Sequence, residues 1–290
     1  MKTKEEVTKW LEEMNIENYL VDDDDLTVDV DSNIYLSHKN LTSIPIKFKK
    51  VNGNFDCSCN KLASLEGCPD IIIGSFYCIS NALESLKGSP KIVTYNFDCS
   101  YNKLTSLEGG PENVGWSFNC SYNGLTSLEG GPQKVGSSFY ADYNKLTTLK
   151  GCPNHIDDHF NCSNNQLASL EGGPEHVGRS FNCSYNELTT LKGRPKSNMY
   201  GEFDCSYNKL KSLEYSPKEI YGSFNCDHNQ LESLEGGPEI VSWNFDCSYN
   251  KITSLKHNPK EIEHELICYG NPIKDYTLGI EIEGKLIKED

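Results

Sequence analysis

The sequence predicts a β-rich solenoid, and three observations carry that prediction: an aromatic residue returning every 21 residues, a Cys two places after it and an Asn five places after it. Phe55, Phe76, Phe97, Phe118, Phe139, Phe160 and Phe181 keep the 21-residue step. Phe203, Phe224 and Phe245 continue it after one inserted residue between Pro195 and Met199. Ile34 and Leu266 hold the same phase at either end, which gives twelve units. The Cys ladder runs through Cys57, Cys78, Cys99, Cys120, Cys162, Cys183, Cys205, Cys226, Cys247 and Cys268, with Leu36 and Ala141 as substitutes. Asn60, Asn81, Asn102, Asn123, Asn144, Asn165, Asn186, Asn208, Asn229, Asn250 and Asn271 form the third column.

Each part of the unit follows from elementary geometry. The alternation in Phe-x-Cys is the period of a strand with one buried face, so Phe and Cys point inward and the residue between them points out. Identical strands at a fixed interval pair in register as a parallel sheet, one strand per turn and about 4.8 Å per rung. Asn ends the strand, because its amide both donates to and accepts from backbone groups in the turn and links one turn to the next. Two Leu-type positions, such as Leu125 and Leu128, return to the core. A Gly-containing bend and a Pro such as Pro111, Pro132 or Pro153 then forbid a regular helix, so the outer wall is expected to be extended or polyproline-like.

The string Phe-x-Cys-Ser-x-Asn-x-Leu-x-x-Leu resembles a leucine-rich repeat, with Phe and Cys standing where that family places its two strand leucines. The short unit with Pro on its return leg is similar to the bacterial effector type and to repeat proteins encoded by bacteria and their phages. Over residues 30–272 the resemblance implies a leucine-rich-repeat solenoid with the parallel β-sheet on its concave face and the extended leg on its convex side. The aromatic ladder and the Gly-Pro bend depart from the family's pattern and bear on curvature.

Three segments are expected: an N-terminal cap over 1–30, the repeat array over 31–272 and a C-terminal cap over 273–290. Thr3 and Glu6 make a capping-box pair, and Val7, Trp10, Leu11 and Met14 share one helical face, which predicts a short amphipathic helix over the first turn. A partner-binding helix is the other reading of that segment. Ile280 and Ile282 alternate with Glu281 and Glu283 before Gly284, which predicts a β-hairpin cap.

A net charge of -15 and a pI near 4.9 argue against duplex nucleic acid or an anionic membrane, which need clustered Lys and Arg. They fit solubility or a basic protein partner. The ladder thiols diverge along the stack, whereas zinc ligands converge, so the Cys column reads as core and implies a reducing compartment. With no signal-peptide or membrane-span run, the expected location is cytoplasmic, or the host cytoplasm if the chain is virus-encoded. The acidic run Asp22–Asp25 lacks the Gly spacing of calcium loops and reads as a solvated loop. No nucleophile-and-base pair, phosphate loop or metal motif stands at a repeated position, so neither an enzyme nor a cofactor is expected.

The outward face of the sheet holds the candidate contact residues. A middle column contains Asp98, Tyr140, Asp204 and Asp246, and a second column contains Tyr101, Tyr122, Tyr143, Tyr185, Tyr207 and Tyr249. Trp116 and Trp243 precede their Phe by two residues, and His159, Glu202, Asp142, Asp227 and His228 are further irregular positions. Tyr offers a rigid apolar body with a polar tip, the side chain most useful at interfaces. Stabilisation of the stack by neighbouring aromatic rings is an equal reading of the Tyr column. The function expected is a non-enzymatic, monomeric scaffold that recognises a protein partner through the concave face, as a phage or bacterial factor acting on a host protein. The alternative is a structural or virion component in which the solenoid is a spacer, and self-association would mark it.

Overall fold

A computed structural model describes residues 3–288. Its helix, Lys4–Glu13, begins where predicted: the Thr3 hydroxyl accepts from the Glu6 backbone N–H at 3.2 Å, satisfying one orphan donor of the first turn. Val7, Trp10 and Leu11 are buried, Met14 half so, and the Trp10 ring meets Phe48 edge-on at 6.3 Å. The helix therefore covers apolar residues of the first turns. The strands Tyr19–Val21 and Val28–Val30 pair antiparallel, and the acidic run forms the turn between them. Asp22 accepts there from the Asp24 N–H, Asp25 from Thr27, and Asp23 pairs with Lys4 at 2.6 Å.

Residues 3–144 with 151–153 form one unit and residues 145–150 with 154–288 a second. Both are stacks of parallel turns. In the first unit, Ile34–Tyr35, Phe55–Asp56, Phe76–Tyr77, Phe97–Asp98, Phe118–Asn119 and Phe139–Tyr140 make a parallel sheet in register, Phe opposite Phe. The second unit repeats it with Phe160–Asn161, Phe181–Asn182, Phe203–Asp204, Phe224–Asn225, Phe245–Asp246 and Glu265–Ile267. Successive Phe rings lie 5.1 to 5.9 Å apart in the first unit and 5.3 to 5.7 Å in the second, all at most 1% exposed. The fold is a parallel-sheet solenoid of about twelve turns, as the sequence predicted.

The Cys and Asn columns show why those residue types recur. The ladder Cys are small enough to sit beside the rings, and most donate their thiol to a carbonyl of the next turn, as Cys99 does to Asn119 at 3.3 Å and Cys183 to Asp204 at 3.3 Å. Asn102 donates from Nδ2 to the carbonyls of Cys78, Cys99 and Ser100 at 3.0 to 3.1 Å, while its Oδ1 accepts from the Leu83 N–H of the preceding turn at 3.1 Å. Asn208 does the same with Cys183, Cys205, Ser206 and Leu188. Four buried backbone groups are thereby satisfied by one side chain. At the bend, Gly130 takes φ +80, and a Cβ there would stand 2.7 Å from the Glu108 nitrogen, so only Gly fits.

Three features correct or extend the sequence reading. The return leg is extended, but it also pairs. Ile71–Ile72, Ile92–Val93, Asn113–Val114 and Lys134–Val135 form a second parallel sheet in the first unit, and Glu219–Ile220, Ile240–Val241 and Glu261–Ile262 form another in the second. Val and Ile three residues after Pro supply the buried side of these strands. At the inserted residue the ladder is patched by a side chain, since the Ser197 hydroxyl accepts from the Val177 N–H and donates to the Val177 carbonyl. The predicted terminal hairpin is absent. Lys285–Ile287 instead pairs parallel with Glu265–Ile267, Leu286 opposite Leu266, as one more rung. Ile280 lies in a bend held by Asn258, whose amide bonds Gly279 and Ile280, because the segment is long enough to complete another turn.

Candidate functional site

The Tyr column was expected on the strand, and the structure places it one step further on. The strand is two residues long, and Tyr101, Tyr122, Tyr143, Tyr185, Tyr207 and Tyr249 sit in the turn behind it with φ between 50 and 56, in the left-handed region. Cys59, Ser80, Asn164 and His228 take the same conformation at the same repeat position. Left-handed backbone disfavours bulky residues, Asn being the natural occupant. The Tyr side chains are therefore kept against a local cost that neighbouring rings offset. Tyr101, Tyr122 and Tyr143 stack face to face at 4.2 Å, tilted by 9° and 10°. In the second unit Tyr185, Tyr207 and His228 stack at 4.2 and 4.1 Å, and Tyr249 follows at 4.3 Å.

These rings are 36 to 51% exposed with their faces covered by each other, so edges and hydroxyls meet solvent. Desolvation between two rings, with hydrogen bonding to the Tyr101 and Tyr143 hydroxyls, pushes the Tyr122 phenol up to about 12. The Tyr207 phenol is also raised, chiefly by its hydrogen bond with Tyr185. The stack thus presents a row of neutral donor-acceptor groups.

The middle column has a second duty that sequence reasoning missed. Asp98, Asp204 and Asp246 each accept at 2.9 Å from the N–H of the Ser two residues on, and Asn119, Asn161 and Asn182 do the same at 2.9 to 3.0 Å. An acceptor at this spacing starts the turn, which explains why Asp and Asn alternate here. Tyr140 lies in this column, half-buried, on the strand Phe139–Tyr140. In the first unit Asp98 also accepts from Asn119 Nδ2 at 3.0 Å, and Asp142 accepts from the Ser121 hydroxyl at 2.6 Å.

Trp116 and Trp243 are not joined to the Tyr stack. Each stands at the opposite end of its strand, 55% exposed, Trp116 edge-on to Tyr95 at 5.8 Å and Trp243 stacked on His264 at 4.8 Å. Tyr200 and Tyr221 form a third corner pair at 5.3 Å. Both stand three residues before their Phe and 21 residues apart, so alignment of the units could have found them. Glu265 also went unremarked, although aligning the units places it in the outward column of Glu202. Among the described residues no group of three His, Cys, Asp or Glu could hold a metal ion, and no helix is long and apolar enough to cross a membrane.

No protein-family model matches the chain, and no curated protein is significantly similar to it. Among solved structures, YopM from Yersinia enterocolitica WA-314 is similar, with a TM-score of 0.55 and 19% identity over 89% of this chain. The chain spans 63% of that YopM's length. YopM from Yersinia pestis, a leucine-rich effector protein, aligns with a TM-score of 0.47 and 19% identity, covering 89% of this chain and 88% of that one. The fold is what this likeness shows: a leucine-rich-repeat solenoid of short turns, similar to that of YopM.

Proposed function

We propose that the protein is a non-enzymatic scaffold that binds a protein partner through the outward face of its Phe-strand sheet, as a bacterial or phage factor acting in a host cytoplasm. The observation that carries the reading is the row of Tyr rings held in left-handed turns with their hydroxyls exposed. A structural column could use Asn at every turn, as Asn164 does, with no conformational cost. Tyr at six such positions is a costlier choice, and it presents rigid, amphipathic groups of the kind interfaces enrich. The likeness in fold to YopM supports a scaffold role by analogy.

The test replaces Tyr122, Tyr143, Tyr185 and Tyr207 by Asn, which the turn already accepts at Asn164. Loss of partner capture from a host lysate, with the melting temperature kept within a few degrees, is the expected outcome. A melting temperature that collapses along with capture would assign the rings to stability instead.

A further inference from the structure

We infer that the outward face of the second unit docks a Lys- or Arg-rich segment of a protein partner, seated on Glu202, Asp204, Asp227, Asp246 and Glu265. The inference rests on the protein-binding reading and names the chemistry of its partner. No Lys or Arg occupies the residue before Phe, the residue after it, or the third and fourth after it in either unit, and the second unit carries more carboxylates there, Glu202, Asp204, Asp227, Asp246 and Glu265 against Asp56, Asp98 and Asp142. Several carboxylates elsewhere in the unit are matched by Lys of an adjacent turn, as in Lys192–Glu171 at 2.7 Å, Lys196–Glu175 at 3.1 Å and Lys260–Glu239 at 2.5 Å. Those pairs lie off this face.

The hydrogen bonding points the same way. In the first unit Asp98 and Asp142 are engaged across turns by Asn119 and Ser121, while Asp56 accepts only from the Ser58 N–H. In the second, Asp204 and Asp246 accept only the Ser N–H of their own turns, leaving one oxygen of each without a hydrogen bond among the described residues. Burial, with Asp204 adding to it, raises the Glu202 carboxyl; burial followed by Asp246 and Asp204 raises Asp227 against the opposing pull of His228. Apart from the contact between His228 and Asp227, no cationic side chain is paired with these carboxylates among the described residues, and a bound cation relieves them.

Geometry selects the occupant. Asp204, Asn225 and Asp246 are opposite one another in register, so the two Asp are about 10 Å apart at about 4.8 Å per rung, and Glu202 and Glu265 lie three rungs apart. That spread fits several spaced cationic side chains, not one metal ion. Beside it, Tyr185, Tyr207, His228 and Tyr249 give an aromatic edge along which Lys or Arg stems can lie.

The test measures binding of a fluorescein-labelled peptide of alternating Arg and Ser to the full chain by anisotropy. The variant Glu202→Gln/Asp204→Asn/Asp246→Asn is compared with Asp56→Asn/Asp98→Asn/Asp142→Asn, which removes as many charges from the first unit. Asn keeps the turn bond at either site, as Asn182 shows. The second-unit variant is expected to weaken binding by about tenfold or more, and the first-unit variant by less than about twofold. Equal losses, or none, overturn the inference, as does calcium binding with the same residue dependence and no peptide effect. If the second-unit variant leaves partner capture intact while the Tyr-to-Asn variant abolishes it, the basic partner is refuted and the binding face stands.

Discussion

The two units have the same interior and different faces. Inside, Phe, Cys, Asn and Leu repeat with the same contacts, as the matching bonds of Asn102 and Asn208 show. Outside, the first unit carries Tyr101, Tyr122 and Tyr143 beside Asp98 and Asp142, which are tied to neighbouring turns. The second carries Tyr185, Tyr207, His228 and Tyr249 beside carboxylates without such ties. The difference teaches where a repeat array can vary. An inward residue must fit the copies above and below it, whereas an outward one is constrained only by its turn.

The interior half of this comparison breaks most visibly in the ring column. Phe118→Ala in the first unit and Phe203→Ala in the second should each cost about 3–5 kcal/mol in urea denaturation, equal between units within error. A cost confined to one unit would show that the interiors are not equivalent. Asn123→Ala and Asn208→Ala come next, at about 2–3 kcal/mol each, because three carbonyls and one N–H lose their partner in a buried turn. Equal costs would again mark a shared interior, and a negligible cost at both would remove Asn from the account of why the turns stack.

Smaller effects follow from ionisation. Burial raises the thiols of Cys99 and Cys120 in the first unit and of Cys183, Cys205, Cys226 and Cys247 in the second well above the usual range. A group whose folded pKa lies above its unfolded value stabilises fully below the unfolded pKa and loses that contribution as pH rises past it. The melting temperature should therefore fall as pH climbs beyond about 8.5–9, where unfolded thiols ionise. An aromatic disulfide reagent should meet one fast thiol, the exposed Cys59, and that reaction should vanish in Cys59→Ser. Fast modification of several thiols would mean the interior opens. The smallest change is Glu202→Gln, which removes a carboxylate disfavoured by burial and by Asp204. It should raise stability by about 0.5 kcal/mol while weakening the cationic peptide, a trade expected where a face is kept for binding. A loss of stability would show the carboxylate to be structural.

Much of the fold was legible because its signals are local. The Phe-x-Cys alternation gave the strand, Asn closed it, and Thr3 with Glu6 gave the helix start, each within a few residues along the chain. The terminal hairpin failed for the opposite reason: the alternation of Ile280 and Ile282 is real, but the rung offered by Glu265–Ile267 captures Lys285–Ile287 instead. The second sheet was half legible, since Val and Ile after Pro were seen as core while their pairing depends on neighbours a whole turn away. At the candidate site the Tyr and Asp columns could be found by alignment. Their conformation could not, because nothing in a Tyr-Asn dipeptide announces a left-handed turn.

By itself the sequence determined the period, the direction each core residue faces and the identity of the columns, since all three follow from alternation and repeat length. Only the tertiary structure decided which outward groups are satisfied and which are left open. Asp98 and Asp246 are the same residue type in the same column, and they differ only in what the adjacent turn, some twenty residues away, brings alongside. Stacking sets that neighbour in place, and the side-chain conformation beside it settles the bond, since Asp204 faces Asn225 as Asp98 faces Asn119 and only Asp98 is tied.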